Sequence, residues 1–161
     1  MQPVTYDPIG VIHSAYTQLE GMPIQPAGAA GVQGWIEVDP RYEEGLRDLD
    51  GFSHVILLYH FHQSSGYQLT VKPFMDKTPR GLFSTRAPRR PNPIGLSIVR
   101  LLGVKGCRLE IENVDILDGT PLLDIKPYAP VFDRVDGVRS GWLTPLQDDV
   151  QDTRSDDRFI E

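Results

Sequence analysis

Glycine and proline interrupt this chain so often that no apolar run grows into a long element. The 15 glycines and 14 prolines fall mostly between apolar stretches of four to ten residues. Proline fixes φ and lacks an amide donor, so each one ends a ladder or confines it to an edge. Strand patterning covers 6–13, 34–38, 52–62, 69–74, 81–85, 95–104, 107–117 and 122–125. It is clearest where Cys107, Leu109 and Ile111 alternate with Arg108, Glu110 and Glu112. The one helix signal before the C-terminal region is Asp39 as N-cap, Pro40 at the first position, residues 41–48, and Gly51 beyond the end. Many short strands without intervening full-length helices indicate an all-β chain, an antiparallel barrel or sandwich.

A length of 161 residues suits one domain, here 1–147 followed by an acidic tail over 148–161. The longest uncharged apolar run, Val55 to Leu58 extended by Tyr59, falls far short of the ~20 residues that cross a bilayer. No basic and apolar leader precedes Pro8, so the reading expects a cytoplasmic protein without membrane association. The lone Cys107 cannot form an internal disulfide and is expected to be a small core residue. Gly28, Gly31 and Gly34 lack the order of a dinucleotide-binding turn, and no phosphate loop or nucleophile elbow is present.

Stiffness and positive charge meet in residues 85–97. Pro88, Pro91 and Pro93 hold this stretch extended, so Arg86, Arg89 and Arg90 are presented with little ordering entropy left to lose. A planar guanidinium presented this way suits a carboxylate, a phosphate or a base edge, although a solvated proline-rich connector would have the same composition. A net charge of −6 argues against indiscriminate coating of nucleic acid. Between Lys72 and Arg100, however, seven cations face the single acid Asp76, which suits one localised anionic partner.

His54, His60 and His62 share one strand face by period two. His54 is about 20 Å from His60 along a strand, and two histidines without a nearby Cys, Asp or Glu make a poor zinc site, so no metal is expected. Asp115 and Asp118 flank Ile116 and Leu117 at a strand end. Further on, Asp124 and Lys126 lie on the face opposite Ile125, with Pro127 closing the ladder before Tyr128.

The run 83–97, together with residues 9–14, Gln25 with Pro26, 52–54, 61–63 and 118–128, resembles the signature of the TsaA-like, or TrmO, family of S-adenosylmethionine-dependent tRNA methyltransferases. The resemblance spans roughly residues 6–145. It implies a small antiparallel β-barrel with loop and short-helix extensions, a homodimer, and S-adenosylmethionine as cofactor. Carried over residue by residue, it places cofactor contacts at Pro26, Ala27, Gly28, His62, Gln63, Arg86, Leu96, Asp115, Ile116, Leu117 and Asp118. Arg89, Arg90, Asn92, Lys126 and Tyr128 would hold the substrate, the anticodon region of tRNA, and Asp118, Asp124 and Tyr128 would serve the chemistry. The implied reaction is N-methylation of the threonylcarbamoyl-modified adenosine beside the anticodon. Longer members carry a C-terminal domain that helps hold tRNA, and no counterpart is expected here. The alternatives are a cofactor-binding regulatory barrel without catalysis, or the same chemistry on a smaller substrate.

Overall fold

Period-two patterning resolves into eight strands: β1 (Gly10–His13), β2 (Gln33–Val38), β3 (His54–His60), β4 (Thr70–Val71), β5 (Arg80–Gly81), β6 (Ile94–Lys105), β7 (Arg108–Glu112) and β8 (Thr120–Pro127). The computed structural model describes residues 2–74, 76–150 and 153–156, over 146–150 by backbone alone. Six strands close into an antiparallel barrel in the order β1-β2-β7-β6-β3-β8, and β4 with β5 forms a separate two-stranded ribbon. Closure gives every barrel strand two neighbours, which removes the exposed edges an open sheet would present.

Each barrel strand sends a fully buried aliphatic side chain inward: Ile12, Ile36, Leu109, Val99, Leu57 and Leu122. Burying a side chain of this size stabilises the fold by about 1.5–3 kcal/mol. Two register shifts shape the wall. Opposite Leu58 and Tyr59, β8 skips Leu123, so Tyr59 faces Leu122 and Leu58 faces Asp124. The skip leaves Thr120 and Leu122 inward on one side, and Asp124 and Lys126 outward on the other.

Several expected elements end differently. The segment 107–117 keeps only β7 as strand. Cys107 sits in the preceding turn beside Gly106 at φ 56°, half-buried against the core instead of within the ladder. Residues 69–74 pair only as Thr70–Val71, and 81–85 form β5 followed by a 3-10 turn, Leu82–Ser84, whose backbone closes on itself. The helix after Asp39 is a 3-10 helix, Pro40–Leu46, capped as expected by the Asp39 carboxylate accepting from the Arg41 amide. Of the acidic tail, Asp152, Asp157, Arg158 and Glu161, and the side chains of Asp148 and Asp149, lie outside the described residues.

Candidate active site

β1, β3 and β7 finish, and β6 and β8 begin, at one end of the barrel. Strand ends are where a rigid scaffold presents its loops. A cavity of about 880 Å³ opens there, within the range of about 300–1,000 Å³ that small-molecule and cofactor sites occupy. Its walls come from segments far apart in sequence: Pro26 and Ala27 of a 3-10 turn, His62 and Gln63 after β3, Arg86 and Arg90, Leu96 on β6, and Asp115, Ile116 and Leu117. Gly28 closes the 3-10 turn beside them through its amide on the Gln25 carbonyl at 2.9 Å.

The turn 115–119 is pinned from several sides. Ser14 donates to the Ile116 carbonyl at 2.6 Å, Thr120 to the Leu117 carbonyl at 2.7 Å, and the Asp118 amide to the Tyr16 carbonyl at 2.7 Å. Asp118 points away from the cavity lining, with its carboxylate 3.1 Å from both His13 Nδ1 and the Ser14 amide. In this chain it braces the turn that carries Asp115.

Asp115 lies at the cavity floor, where Ser97 donates to its Oδ1 at 2.7 Å and Tyr59 contacts Ser97 Oγ at 3.0 Å. Burial pushes the Asp115 carboxyl up to about 6, against the pull of the Ser97 hydrogen bond and the Arg86 charge. Burial likewise raises the Tyr59 phenol. Arg86 is exposed and donates through Nη1 to Gln25 Oε1 at 2.9 Å. Burial lowers the His62 imidazole, with His60 adding to the effect, so His62 is a neutral hydrogen-bonding group near pH 7.

The three loop arginines separate into different roles. Arg90 lines the cavity, but its Nη1 donates to the Thr85 and Ala87 carbonyls at 3.0 and 3.3 Å and its guanidinium lies over Phe83. It is a strut of its own loop. Arg89 is half-buried outside the cavity lining, and Asn92 is exposed at the loop tip. The basic stretch is also less naked than its composition suggests, because Arg80 pairs with Asp76 at 2.7 Å and Arg100 with Glu112 at 3.1 Å.

Asp124, Lys126 and Tyr128 do not line the cavity. Asp124 and Lys126 pair with each other at 2.8 Å on the outer barrel face. The register runs Asp124, Leu58, Leu96 across that face, which puts Asp124 about 10 Å from a residue of the cavity mouth. Tyr128 lies just past the end of β8, its amide on the His54 carbonyl and its ring edge-on to His54. His54 and His60 share the outer face of β3 while His62 lies past its end, and among the described residues no cluster of three metal-ligating side chains occurs.

Tyr59, Ser97 and Trp142 carry no site role in the sequence reading, and Gln25 enters it only beside Pro26 in a matching block. The inward row of β6 reads Gly95, Ser97, Val99, Leu101, and that of β3 reads Val55, Leu57, Tyr59, so polarity appears only at the cavity end. The outward Ile94, Leu96, Ile98 and Ile56, Leu58 are as apolar, however, and the sequence alone does not say which row turns inward. Trp142 lines the cavity, donates to the Ser84 carbonyl at 2.8 Å and stacks under Arg80. Nothing local in the C-terminal sequence announces that contact.

Fold and cavity together define a ligand-binding antiparallel β-barrel. Residues 11–134 match the family model described as the tRNA-methyltransferase O N-terminal domain, and the chain belongs to that family. A Pyrococcus abyssi protein named "Probable S-adenosyl-L-methionine-binding protein" is 51% identical over 157 residues, covering 98% of this chain and 85% of its own length. The human tRNA (adenine(37)-N6)-methyltransferase is 34% identical over 149 residues, which is 88% of this chain and 33% of the human one. The crystal structure of TrmO from Pseudomonas aeruginosa superposes with a TM-score of 0.74 at 40% identity, over 88% of this chain and 63% of that one. This chain therefore spans most of one relative and a third to two thirds of the others.

Proposed function

We propose that this protein is an S-adenosylmethionine-dependent methyltransferase acting on an adenine nitrogen beside the tRNA anticodon. One observation carries the reading: sequence blocks from Pro26 to Leu117 converge on a single cavity lined by the guanidiniums of Arg86 and the loop-tied Arg90 and by the carboxyl of Asp115. That donor set fits the cofactor. Arg86 suits its carboxylate, Asp115 its ammonium or ribose hydroxyls, and the side chains of Leu96, Ile116 and Leu117 offer an apolar slot for a flat base. His62 and Gln63 add neutral hydrogen-bonding groups.

When bound, the cofactor supplies a methyl group on a sulfonium, open to in-line displacement. The chain's own part is alignment, because an exocyclic amine is a weak nucleophile whose lone pair is delocalised. Asp124, Lys126 and Asn92 are assigned to the acceptor side, on the outer face and loop tip that flank the mouth. A carboxylate on that side can accept the departing proton. Arg89 is assigned to phosphate contact.

A homodimer is part of this reading. Ile94, Leu96 and Ile98 leave 38–43% of their surface exposed on the face that borders the cavity, and Val131 and Phe132 are more than 80% exposed beyond β8. Apolar surface of this kind is buried in assemblies. Tyr128, three residues before Val131, is assigned to the acceptor side as well. Among the described residues no helix is long and apolar enough to cross a membrane, and a tRNA substrate suits a cytoplasmic protein.

The test is transfer of radiolabelled methyl from S-adenosylmethionine to bulk tRNA, followed by nucleoside digestion. Label in an N-methylated adenosine is the expected result. Cofactor binding with no label in tRNA would favour the non-catalytic binding barrel.

A further inference from the structure

Ser97 and Tyr59 sit on the inward faces of β6 and β3, 1% and 5% exposed. Ser97 has one proton and its geometry gives that proton to Asp115 Oδ1, 2.7 Å away. Tyr59 Oη, 3.0 Å from Ser97 Oγ, must then donate into a Ser97 lone pair. The order Tyr59 to Ser97 to Asp115 is therefore fixed whenever Asp115 is ionised, with both protons directed toward the carboxylate. Chains of this kind polarise one another and strengthen toward the charged end.

The glycine of the proline-rich motif belongs to the same construction. A Cβ at Gly95 would meet the Tyr59 ring, with Cε2 at 2.2 Å and Cζ at 2.4 Å. Any side chain there would push the phenol off Ser97. Gly95 is thus required by the ring that starts the chain of hydroxyls, and Ser97 lies two residues on along the same inward row.

We propose that Ser97 and Tyr59 are positioning residues of the site, a buried hydroxyl relay that holds the Asp115 carboxylate charged and aimed for the hydrogen-bond donors of the bound cofactor. The proposal rests on the cofactor reading above for the identity of the ligand, and on the geometry alone for the relay. Other charged or titratable groups around Asp115 are Arg86 from the proline-rich loop and Tyr16 after β1, with His62, Arg90 and Asp156 lining the same cavity. Removing a relay donor should raise the pH at which Asp115 ionises, since hydrogen bonds to the charged form favour it.

Two measurements test this on the full chain. Asp115 is titrated in the ligand-free protein by carboxyl ¹³C NMR, and S-adenosylmethionine affinity is measured from pH 5.5 to 8.5. Wild type is compared with Tyr59→Phe and with Tyr59→Phe/Ser97→Ala, which removes the second hydroxyl without stranding the first. The midpoint should rise by about half a pH unit in the single variant and about one in the double. At one unit, binding is about fivefold weaker than wild type at pH 6 and equal to it at pH 8. Unchanged Asp115 titration in both folded variants overturns the relay, as does a loss of affinity that is the same at every pH. Wild-type protein that binds no S-adenosylmethionine overturns the cofactor reading instead, and the NMR titration then judges the relay by itself.

Discussion

Asp115→Asn should make the ligand-free protein more stable and the cofactor site worse. The carboxyl is carried from 3.8 in water to about 6 by burial, so the folded state holds a proton more tightly than the unfolded chain. Stability from that proton is present below pH 4 and lost as pH rises through 6. Above pH 6 the folded protein carries a buried charge that costs up to about 3 kcal/mol, at 1.36 kcal/mol per pH unit. The side chain borders the cavity, whose water screens part of this cost, and a gain of about 1–2 kcal/mol is the working expectation for the variant. Asparagine keeps the shape and the acceptor that Ser97 needs. For a domain of this size the gain corresponds to roughly 2–8 °C in melting temperature at pH 8, shrinking toward zero at pH 4. Differential scanning calorimetry across that range, paired with titration calorimetry of S-adenosylmethionine, reads both halves. A variant no more stable than wild type at pH 8, or stabilised equally at pH 4, would refute the reasoning. So would wild-type cofactor affinity.

Arg86→Ala should weaken cofactor binding about tenfold through loss of a charge-assisted contact, while Gln25→Ala, which removes only its neighbour, should cost less than Arg86→Ala by titration calorimetry. Arg90→Ala should lower thermal stability by about 1–2 kcal/mol because two loop carbonyls lose their donor, whereas Arg89→Ala should leave stability alone and flatten the salt dependence of tRNA binding. Ile98→Asp combined with Phe132→Ser should shift the chain to monomer in sedimentation velocity, since both changes place polar atoms on the proposed interface.

The barrel was legible where polar and apolar residues alternate, as in β7, whose Leu109 and Ile111 face inward against Arg108, Glu110 and Glu112. In β3 the outward Ile56 and Leu58 are as apolar as the inward Val55 and Leu57, so only the strand itself could be read there, not its facing. Strand ends were less legible. Leu82–Ser84 has strand composition, yet its backbone closes into a 3-10 turn that seats Thr85 on the Leu82 carbonyl. The β8 skip at Leu123 is invisible in sequence, although it decides that Asp124 faces outward. Composition also overstated the positive charge, because whether Arg80 and Arg100 meet Asp76 and Glu112 is a matter of register and turn geometry. The hydrogen bonds that tie Asp118 into its turn and Arg90 into its own loop are likewise set by the fold and not visible in sequence. Ser97 and Tyr59 are the converse case: over 94–98 the apolar row of β6 is the outward one, Ile94, Leu96 and Ile98, so alternation alone points Ser97 to solvent.

The central claim is that S-adenosylmethionine occupies the cavity between Arg86 and Asp115. A crystal structure of the full chain with S-adenosylhomocysteine tests it most directly. The account predicts density in the cavity, with the ligand's carboxylate at Arg86, a hydroxyl or ammonium within hydrogen-bond distance of Asp115, and the Tyr59–Ser97 hydrogen bonds intact beneath it. Ligand bound elsewhere on the barrel, or in the cavity but clear of both side chains, would contradict it.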